Sequence, residues 1–188
     1  TTPGVRYGSQ NLLNPEYAAE DKFYNLILKF DWNFGDKHRT FIRHASNDRT
    51  EDRCVNGICA GPGQDGQQPF QRINDAYVLD WVSTLSPTTV FNIRGSASRF
   101  IEKGFGRANE DFDLTSLGLS SSLVNQLPTP RYFGRWQFNG YSNMGRYQSI
   151  NITNNYSLMS NVTKIAGRHT MKFGIDLRRT HFIQQNTG

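Results

Sequence analysis

The sequence contains no run of about 18 consecutive apolar residues, so it offers no candidate for a transmembrane helix. Its first residues also lack the charged start and the apolar stretch of a signal peptide. Because residues 1–8 read as the middle of a loop, we expect an internal piece of a longer protein. Apolar side chains are scarce, at 36% hydrophobic residues and a mean hydropathy of -0.62. A conventional packed core needs a composition nearer half apolar.

Sequence motifs for chemistry are missing as well. Gly104-Phe-Gly106 lacks the third glycine and the following helix of a nucleotide-binding loop, and the 4 histidines form no i,i+2 or i,i+4 pair. There is no Gly-x-Ser-x-Gly and no nucleophile paired with a base. We therefore predict no catalysis, no cofactor and no metal site. The net charge is +5, but the 21 Lys and Arg are spread along the chain. A nucleic-acid partner is not expected, since phosphate binding needs a basic stripe.

Cysteine is nearly absent. The two that occur, Cys54 and Cys59, flank Val-Asn-Gly-Ile, and the glycine favours a turn between them. This spacing favours a small local disulfide formed in an oxidising compartment, with a pair of free thiols as the alternative. Two thiols without a nearby histidine are too few for a tetrahedral zinc site.

Strict alternation of apolar and polar residues is the strongest signal present. In residues 24–34 one face carries only apolar and aromatic side chains, whereas the other is polar except for Ile27. The apolar face comprises Tyr24, Leu26, Leu28, Phe30, Trp32 and Phe34. A helix would mix Lys29 and Asp31 with the leucines, but a strand separates them. Residues 23–34 are therefore predicted to form a strand with one lipid-facing side.

The same design recurs in three predicted hairpins joined by short turns. Their strands are predicted at residues 23–34 and 38–47, 71–83 and 89–101, and 147–164 and 169–184. The second strand is ambiguous, because Phe41 shares a face with Arg39 and Arg43, whereas Ile42 shares a face with His38 and His44. Either phase of that strand exposes polar groups on the apolar side.

The connections differ in length in a regular way. The links between hairpins, residues 48–70 and 102–146, are long, and the second is predicted to carry a short helix from the N-cap Asp113 toward Leu127. In an up-and-down sheet all short turns lie at one end and all long loops at the other, as in bacterial barrels. The predicted fold is all-β: an antiparallel up-and-down transmembrane β-barrel segment of about six strands. The predicted segment comprises residues 1–188, and we expect it to lie in the bacterial cell outer membrane.

The second long loop ends in a cluster of aromatic and arginine side chains. Its members are Tyr132, Arg135, Trp136, Phe138 and Tyr141. Aromatic and arginine residues dominate binding hot spots, so this cluster is a candidate for contact with a ligand. The alternative is that these side chains pack the loop against itself or against the barrel rim.

Four segments resemble TonB-dependent receptors. Residues 165–178 (IAGRHTMKFGIDLR) look like the turn-and-strand phrase repeated in those barrels. Residues 89–100 (TVFNIRGSASRF), 112–119 (FDLTSLGL) and 127–134 (LPTPRYFG) are similar to the large Oar-like members. The resemblance spans most of the chain. It implies one part of a barrel that a plug fills and that imports an unidentified substrate with energy relayed by TonB.

The resemblance implies outer-membrane lipid and, through a plug that this chain does not contain, the TonB system as partners. Two alternatives stay open from the sequence. One is a passive porin or surface-attachment barrel, and the other is a soluble antiparallel β domain with carbohydrate-binding loops. The soluble domain would need a second sheet over the apolar rows, and the sequence offers little aliphatic material for one.

Overall fold

The computed structural model of the chain describes residues 6–7, 10–11, 19–52, 63, 70–104, 109–140 and 143–187. Within these ranges β-strands dominate and helices are confined to single turns. The strands are β1 (Arg6–Tyr7), β2 (Gln10–Asn11), β3 (Glu20–Phe34), β4 (His38–Asp52), β5 (Phe70–Ser86), β6 (Thr89–Gly104), β7 (Gln148–Ala166) and β8 (His169–Thr187). A 3-10 helix at Leu114–Leu117 and a one-turn α1 at Ser121–Val124 lie between β6 and β7.

Strands β3 to β8 form one antiparallel six-stranded sheet in sequence order, and β1 and β2 form a separate small hairpin. The three predicted hairpins are thereby confirmed, with β3 and β8 at the two edges of the sheet. The short connections lie side by side, because backbone hydrogen bonds join each one to the next. The Thr84 N–H donates to the Lys37 carbonyl at 2.7 Å, and the Ile165 N–H donates to the Thr88 carbonyl at 2.8 Å. The predicted asymmetry between short turns and long loops is therefore present in the fold.

The register of the sheet aligns apolar side chains from all six strands on one face. Directly paired residues project to the same side of a sheet. One such row runs Phe30, Ile42, Leu79, Gly95, Leu158 and Leu177. Among the described residues, no second layer covers this face, and its large side chains stay exposed, with Phe30 at 62% and Leu177 at 59%. An uncovered apolar face of this kind is suited to lipid.

Pairing also settles the phase of β4, which alternation left open. Ile42 lies between Phe30 and Leu79, so Ile42, His38 and His44 share the lipid face and Phe41 turns to the opposite face. Two of the polar side chains on the lipid side of β4 lie against aromatic rings. The His44 ring stacks on Tyr77 at 4.4 Å between centroids, and the His38 ring lies 5.9 Å from Trp81.

Several strands extend further toward the long loops than alternation predicted. Strand β3 begins at Glu20 instead of residue 23, and β4 ends at Asp52 instead of residue 47. The added ends are held by charge pairs on the polar face, such as Arg49 with Asp21 at 2.6 Å. Backbone pairing of β3 and β4 therefore continues into segments where the side chains no longer alternate between apolar and polar.

The single helix predicted in the second long loop is two separate turns. Asp113 is the N-cap, as predicted, and its side chain accepts from the Thr115 N–H. The first turn ends because Gly118 adopts a left-handed conformation, with φ at 86°. Ser120 then caps α1, so the segment restarts as a second turn instead of continuing toward Leu127.

The only buried apolar side chains in the described part of the chain belong to this loop. They are Leu114, Val124, Tyr132 and Phe133. No helix in the described ranges has the length and apolar character needed to cross a membrane. The hydrophobic packing of the structure thus lies in a loop at one end of the sheet, whereas the sheet keeps one apolar face open. A soluble sandwich would need a second sheet over that face.

Candidate functional site

The face of the sheet opposite to lipid carries a chain of polar side chains across β5, β6 and β7. Its centre is Asp80, which is only 4% exposed. The Arg94 Nε donates to Asp80 at 2.7 Å, and the Asn92 amide donates to both carboxylate oxygens at 3.2 Å. Asn161 then donates to the Asn92 side-chain oxygen at 3.3 Å. We call these four residues the Asp80 cluster.

An aromatic ring adjoins the Asp80 cluster on the same face. Phe41 lies with its ring centroid 5.9 Å from the Arg94 guanidinium and 4.8 Å from the Lys29 ammonium. Lys29 also pairs with Asp31 at 2.7 Å. A cation above a ring is stabilised by the ring quadrupole. This explains why one large aromatic residue is tolerated on the polar face of β4.

A second charge ladder lies nearer to the long loops. The Glu51 side chain is only 6% exposed, and its carboxylate forms ion pairs with Arg49, at 2.9 Å, and with Arg72. Arg72 reaches on to Glu102 at 3.4 Å, and Arg49 to Asp21 at 2.6 Å. The ladder crosses four strands, from β3 to β6. The sequence prediction did not include this ladder, because it ended the strand at residue 47. Arg49 and Glu51 nevertheless lie at the same alternate positions as Arg39 and Arg43, so they share the face of those residues.

Together these two networks make a polar wall in which acidic groups are paired with basic groups. Such a wall can donate and accept hydrogen bonds toward a solvated interior or toward a polypeptide placed inside a barrel. It holds no nucleophile next to a base. Within the described ranges, no group of three His, Cys, Asp or Glu side chains could hold a metal ion.

The second long loop is folded around Asn109 and Phe133. Asn109 is fully buried, and its side-chain oxygen accepts from the N–H of Gly63 in the first long loop at 2.9 Å. The Gly63 carbonyl in turn accepts from the Gly145 N–H at 2.6 Å. A Cβ on Gly145 would lie 2.0 Å from the Gly134 carbonyl oxygen, so only glycine fits there. This contact between the two long loops is called the loop clamp below.

The structure separates the predicted aromatic and arginine cluster into two groups. Tyr132 is buried at 4% exposure, so it packs the loop interior. Trp136 is 36% exposed, with its ring 6.4 Å from Phe133 and its backbone paired with Met144. Arg135 and Phe138 are exposed. Tyr141 lies outside the described residues, as do Cys54 and Cys59 of the predicted disulfide.

One exposed member of that cluster, Arg135, borders a small cleft. Arg135, Asn143, Gly145, Arg146 and Tyr147 line a volume of about 200 Å³ at the base of the loop. Its walls supply guanidinium, amide and phenol groups. These groups suit a polar or anionic ligand better than an apolar one.

One titratable group in the loop has a shifted acidity. The hydroxyl and the backbone N–H of Thr115 both donate to the Asp113 carboxylate, at 2.7 and 2.9 Å. These bonds favour the charged form and lower the pKa of Asp113 below its ordinary value. The N-cap is therefore ionised over the whole neutral range.

A six-stranded meander with one open apolar face, one charge-paired polar face, and short and long connections at opposite ends defines the wall of a membrane β-barrel. The family model described as Outer membrane beta barrel domain matches residues 1–188, and the chain belongs to this family. No curated protein and no solved structure matches the chain. Strands β3 to β8 are transmembrane strands, and the protein is located in the bacterial outer membrane. The soluble β domain is thereby set aside.

Proposed function

We propose that this chain is part of the barrel of a TonB-dependent receptor that imports a substrate across the outer membrane, and that it has no catalytic role. In this proposal the rest of the protein supplies further strands and a plug through which TonB acts. Strands β3 and β8 lie at the two edges of the sheet. Unpaired backbone groups at a sheet edge are costly in lipid, so each edge needs a further strand to pair with.

The observation that carries the proposal is the height of the wall. The six strands have 15 to 19 residues each, whereas about 9–11 residues suffice to cross a bilayer. The excess lies toward the long loops, where the Glu51 ladder continues the polar face. A tall, charge-paired inner wall leading to a folded outer loop favours a receptor that encloses a plug.

The resemblance to TonB-dependent receptors falls on segments with a consistent place in this fold. Residues 165–178 form the short turn between β7 and β8 and the first half of β8. The stretches 112–119 and 127–134 belong to the folded outer loop, in which Tyr132 and Phe133 are buried. Both locations agree with a barrel that has short periplasmic turns and elaborate outer loops.

Ion conductance of the full-length protein tests the proposal against a passive porin. The purified protein is inserted into planar lipid bilayers beside a version lacking its plug, with protein-free detergent as the control. A plugged receptor is expected to be non-conducting, and the version without the plug is expected to open large pores. The periplasmic domain of TonB is expected to bind only the plugged form. Steady conductance by the full-length protein would identify a porin instead.

The exposed loop residues give a separate test of ligand contact. Replacing Arg135 with Gln and Phe138 with Ser in the full-length receptor should reduce substrate uptake, because both side chains are exposed and Arg135 lines the cleft. Leu117→Ser is the matched control, since Leu117 is 50% exposed in the same loop but away from the cleft. Unchanged uptake in the double variant, at normal surface expression, would assign the cluster to loop packing alone.

A further inference from the structure

The lipid face carries a polar row that has apolar side chains on both sides of it. Asp75, Arg99 and His181 belong to this row, which crosses β5 to β8. On β5 to β7 the row nearer to the short turns is apolar or aromatic. The row nearer to the long loops places isoleucine on four neighbouring strands. Its members, called the outer isoleucine row below, are Ile73, Ile101, Ile152 and Ile183.

Strand geometry places the outer isoleucine row above the apolar band of the membrane. Arg99 and Ile101 lie about ten and about twelve residues from Thr89, the short-turn end of β6. At about 3.3 Å per residue and a strand tilt of about 40°, their heights are about 25 and about 30 Å. The apolar band of an outer-membrane barrel is about 25 Å high. Lipid tails therefore end below the isoleucines, and lipid alone does not explain an apolar row at that height.

Asp75 and Arg99 place opposite charges side by side in the polar row. They are register partners on β5 and β6, but Arg99 is exposed and forms no ion pair with any described residue. The Asp75 side chain is 43% exposed, and its carboxylate lies 3.5 Å from the His44 Nε2. On the polar face, by contrast, Arg178 donates to both carboxylate oxygens of Asp176, at 3.1 and 2.6 Å. The outward charges of Asp75 and Arg99 are thus available to a partner.

The lipid face is recessed along β6, just below this pair of charges. Gly95 has open space beside it, since a Cβ there would meet nothing within 4 Å. The next outward residue, Ala97, is also small. The side chains that flank these two residues on β5 and β7 are large and 46% to 57% exposed, and they are Tyr77, Leu79, Tyr156 and Leu158. Small residues in a strand permit close approach of another chain, so β6 forms a groove between two ridges.

We propose that this face is the interface of a two-fold symmetric dimer of the protein, with the symmetry axis between β5 and β6. The axis runs along the membrane normal, because both copies insert in the same orientation. In an isologous interface each contact occurs twice with the roles exchanged. Asp75 therefore meets the partner's Arg99, and Arg99 meets the partner's Asp75.

The geometry permits both ion pairs at once. Neighbouring strands lie about 4.8 Å apart, so at a tilt of about 40° register partners differ in height by about 3 Å. An arginine side chain spans this difference. The same axis brings Ile73 against the partner's Ile101 and the Tyr77 ridge over the partner's Ala97. Apolar contacts then lie above and below the charges and exclude water from them.

The dimer depends on the open lipid face and not on import, so it is expected for a receptor and for a passive porin alike. Its failure would leave the conductance test of the receptor unaffected.

The test mixes two charge-reversal variants of the full-length protein, labelled with donor and acceptor dyes, in phosphatidylcholine vesicles. An Asp75→Arg subunit carries arginine at both positions, and an Arg99→Asp subunit carries aspartate at both. Each variant alone is expected to dimerise about tenfold more weakly than the parent, because symmetry removes the pair twice, at about threefold each. The mixture is expected to associate as tightly as the parent, because every contact between unlike subunits again joins opposite charges.

Asp176→Arg and Arg178→Asp are the matched control variants, since they reverse an ion pair that lies within one copy on the polar face. Alone and mixed, they should associate as the parent does. Heat-modifiable migration on gels verifies that every variant is folded. Energy transfer in the parent no greater than that of randomly distributed monomers would overturn the proposal. Single variants as tight as the parent, or a mixture no tighter than the single variants, would overturn it as well.

Discussion

Replacing Leu158 with arginine tests the lipid face most directly. Leu158 pairs with Gly95 and Leu177 in the register of β7, on the face that no other part of the described structure covers. Leu158 is level with Gly95, which lies six residues from Thr89 at the short-turn end of β6. At a strand tilt of about 40° this places it about 15 Å above that end, close to the middle of a band about 25 Å high.

The expected cost follows from this depth. An arginine facing lipid at the bilayer midplane costs about 2–4 kcal/mol of folding free energy, and the cost falls to about 0–1 kcal/mol at the interface. Ile152→Arg is the matched control, because it also replaces an aliphatic residue by arginine on the same face of the same strand, six positions toward the long loops and between Ile101 and Ile183. The two variants therefore differ mainly in depth.

The assay is a urea titration of the full-length protein folding into phosphatidylcholine vesicles. Leu158→Arg is expected to lower the unfolding free energy by at least about 2 kcal/mol, or about 30-fold in the equilibrium. Ile152→Arg is expected to lower it by less than about 1 kcal/mol. If both variants lost the same free energy, or neither lost any, the face of Leu158 would not contact the membrane interior. The assignment of the two faces of the sheet would then be wrong.

Three further substitutions test the polar face and the loop. Asp80→Ala should lower the unfolding free energy by about 1–3 kcal/mol, because its donors on β6 lose a buried acceptor; Asp176→Ala, whose ion pair is exposed, should cost less. Gly145→Ala should open the loop clamp and raise proteolysis of the outer loop with the barrel intact, since the new Cβ meets a carbonyl oxygen at 2.0 Å. Gly140→Ala, which shares a positive φ but has open space, is its control, and equal proteolysis would refute the steric argument. The pKa of Asp113 is lowered in the fold, so its stabilising effect is complete above the unfolded value of about 3.9 and is lost as pH falls through the lowered pKa. Amide exchange of the 3-10 turn should therefore differ between the parent and Asp113→Ala at neutral pH and converge in strong acid; a constant difference would contradict the cap.

Much of the sheet could be predicted from the sequence because alternation is a local property. In most of β3, β6, β7 and β8 the polarity of a side chain indicates its face. The short turns follow from residues such as Gly35 and Gly167, whose φ values are 60° and 61°. The N-cap Asp113 is local in the same sense, since its partner Thr115 is two residues away. Features that depend on neighbours in sequence were therefore accessible.

Other features depend on which strands meet, and only the tertiary structure decided them. The phase of β4 was ambiguous from its own residues, and the pairing of Ile42 with Phe30 and Leu79 resolved it. Glu51 and Arg72 lie on different strands, so their pairing could not be seen in either segment alone.

The loop shows the same division. The sequence by itself identified aromatic residues at the end of the second long loop, but it could not separate the buried Tyr132 from the exposed Phe138. Tyr132 is bridged to Glu110, which is distant in sequence and adjacent only in the folded loop. Periodicity determines which way a side chain points, whereas burial and pairing depend on the segments that come to lie beside it.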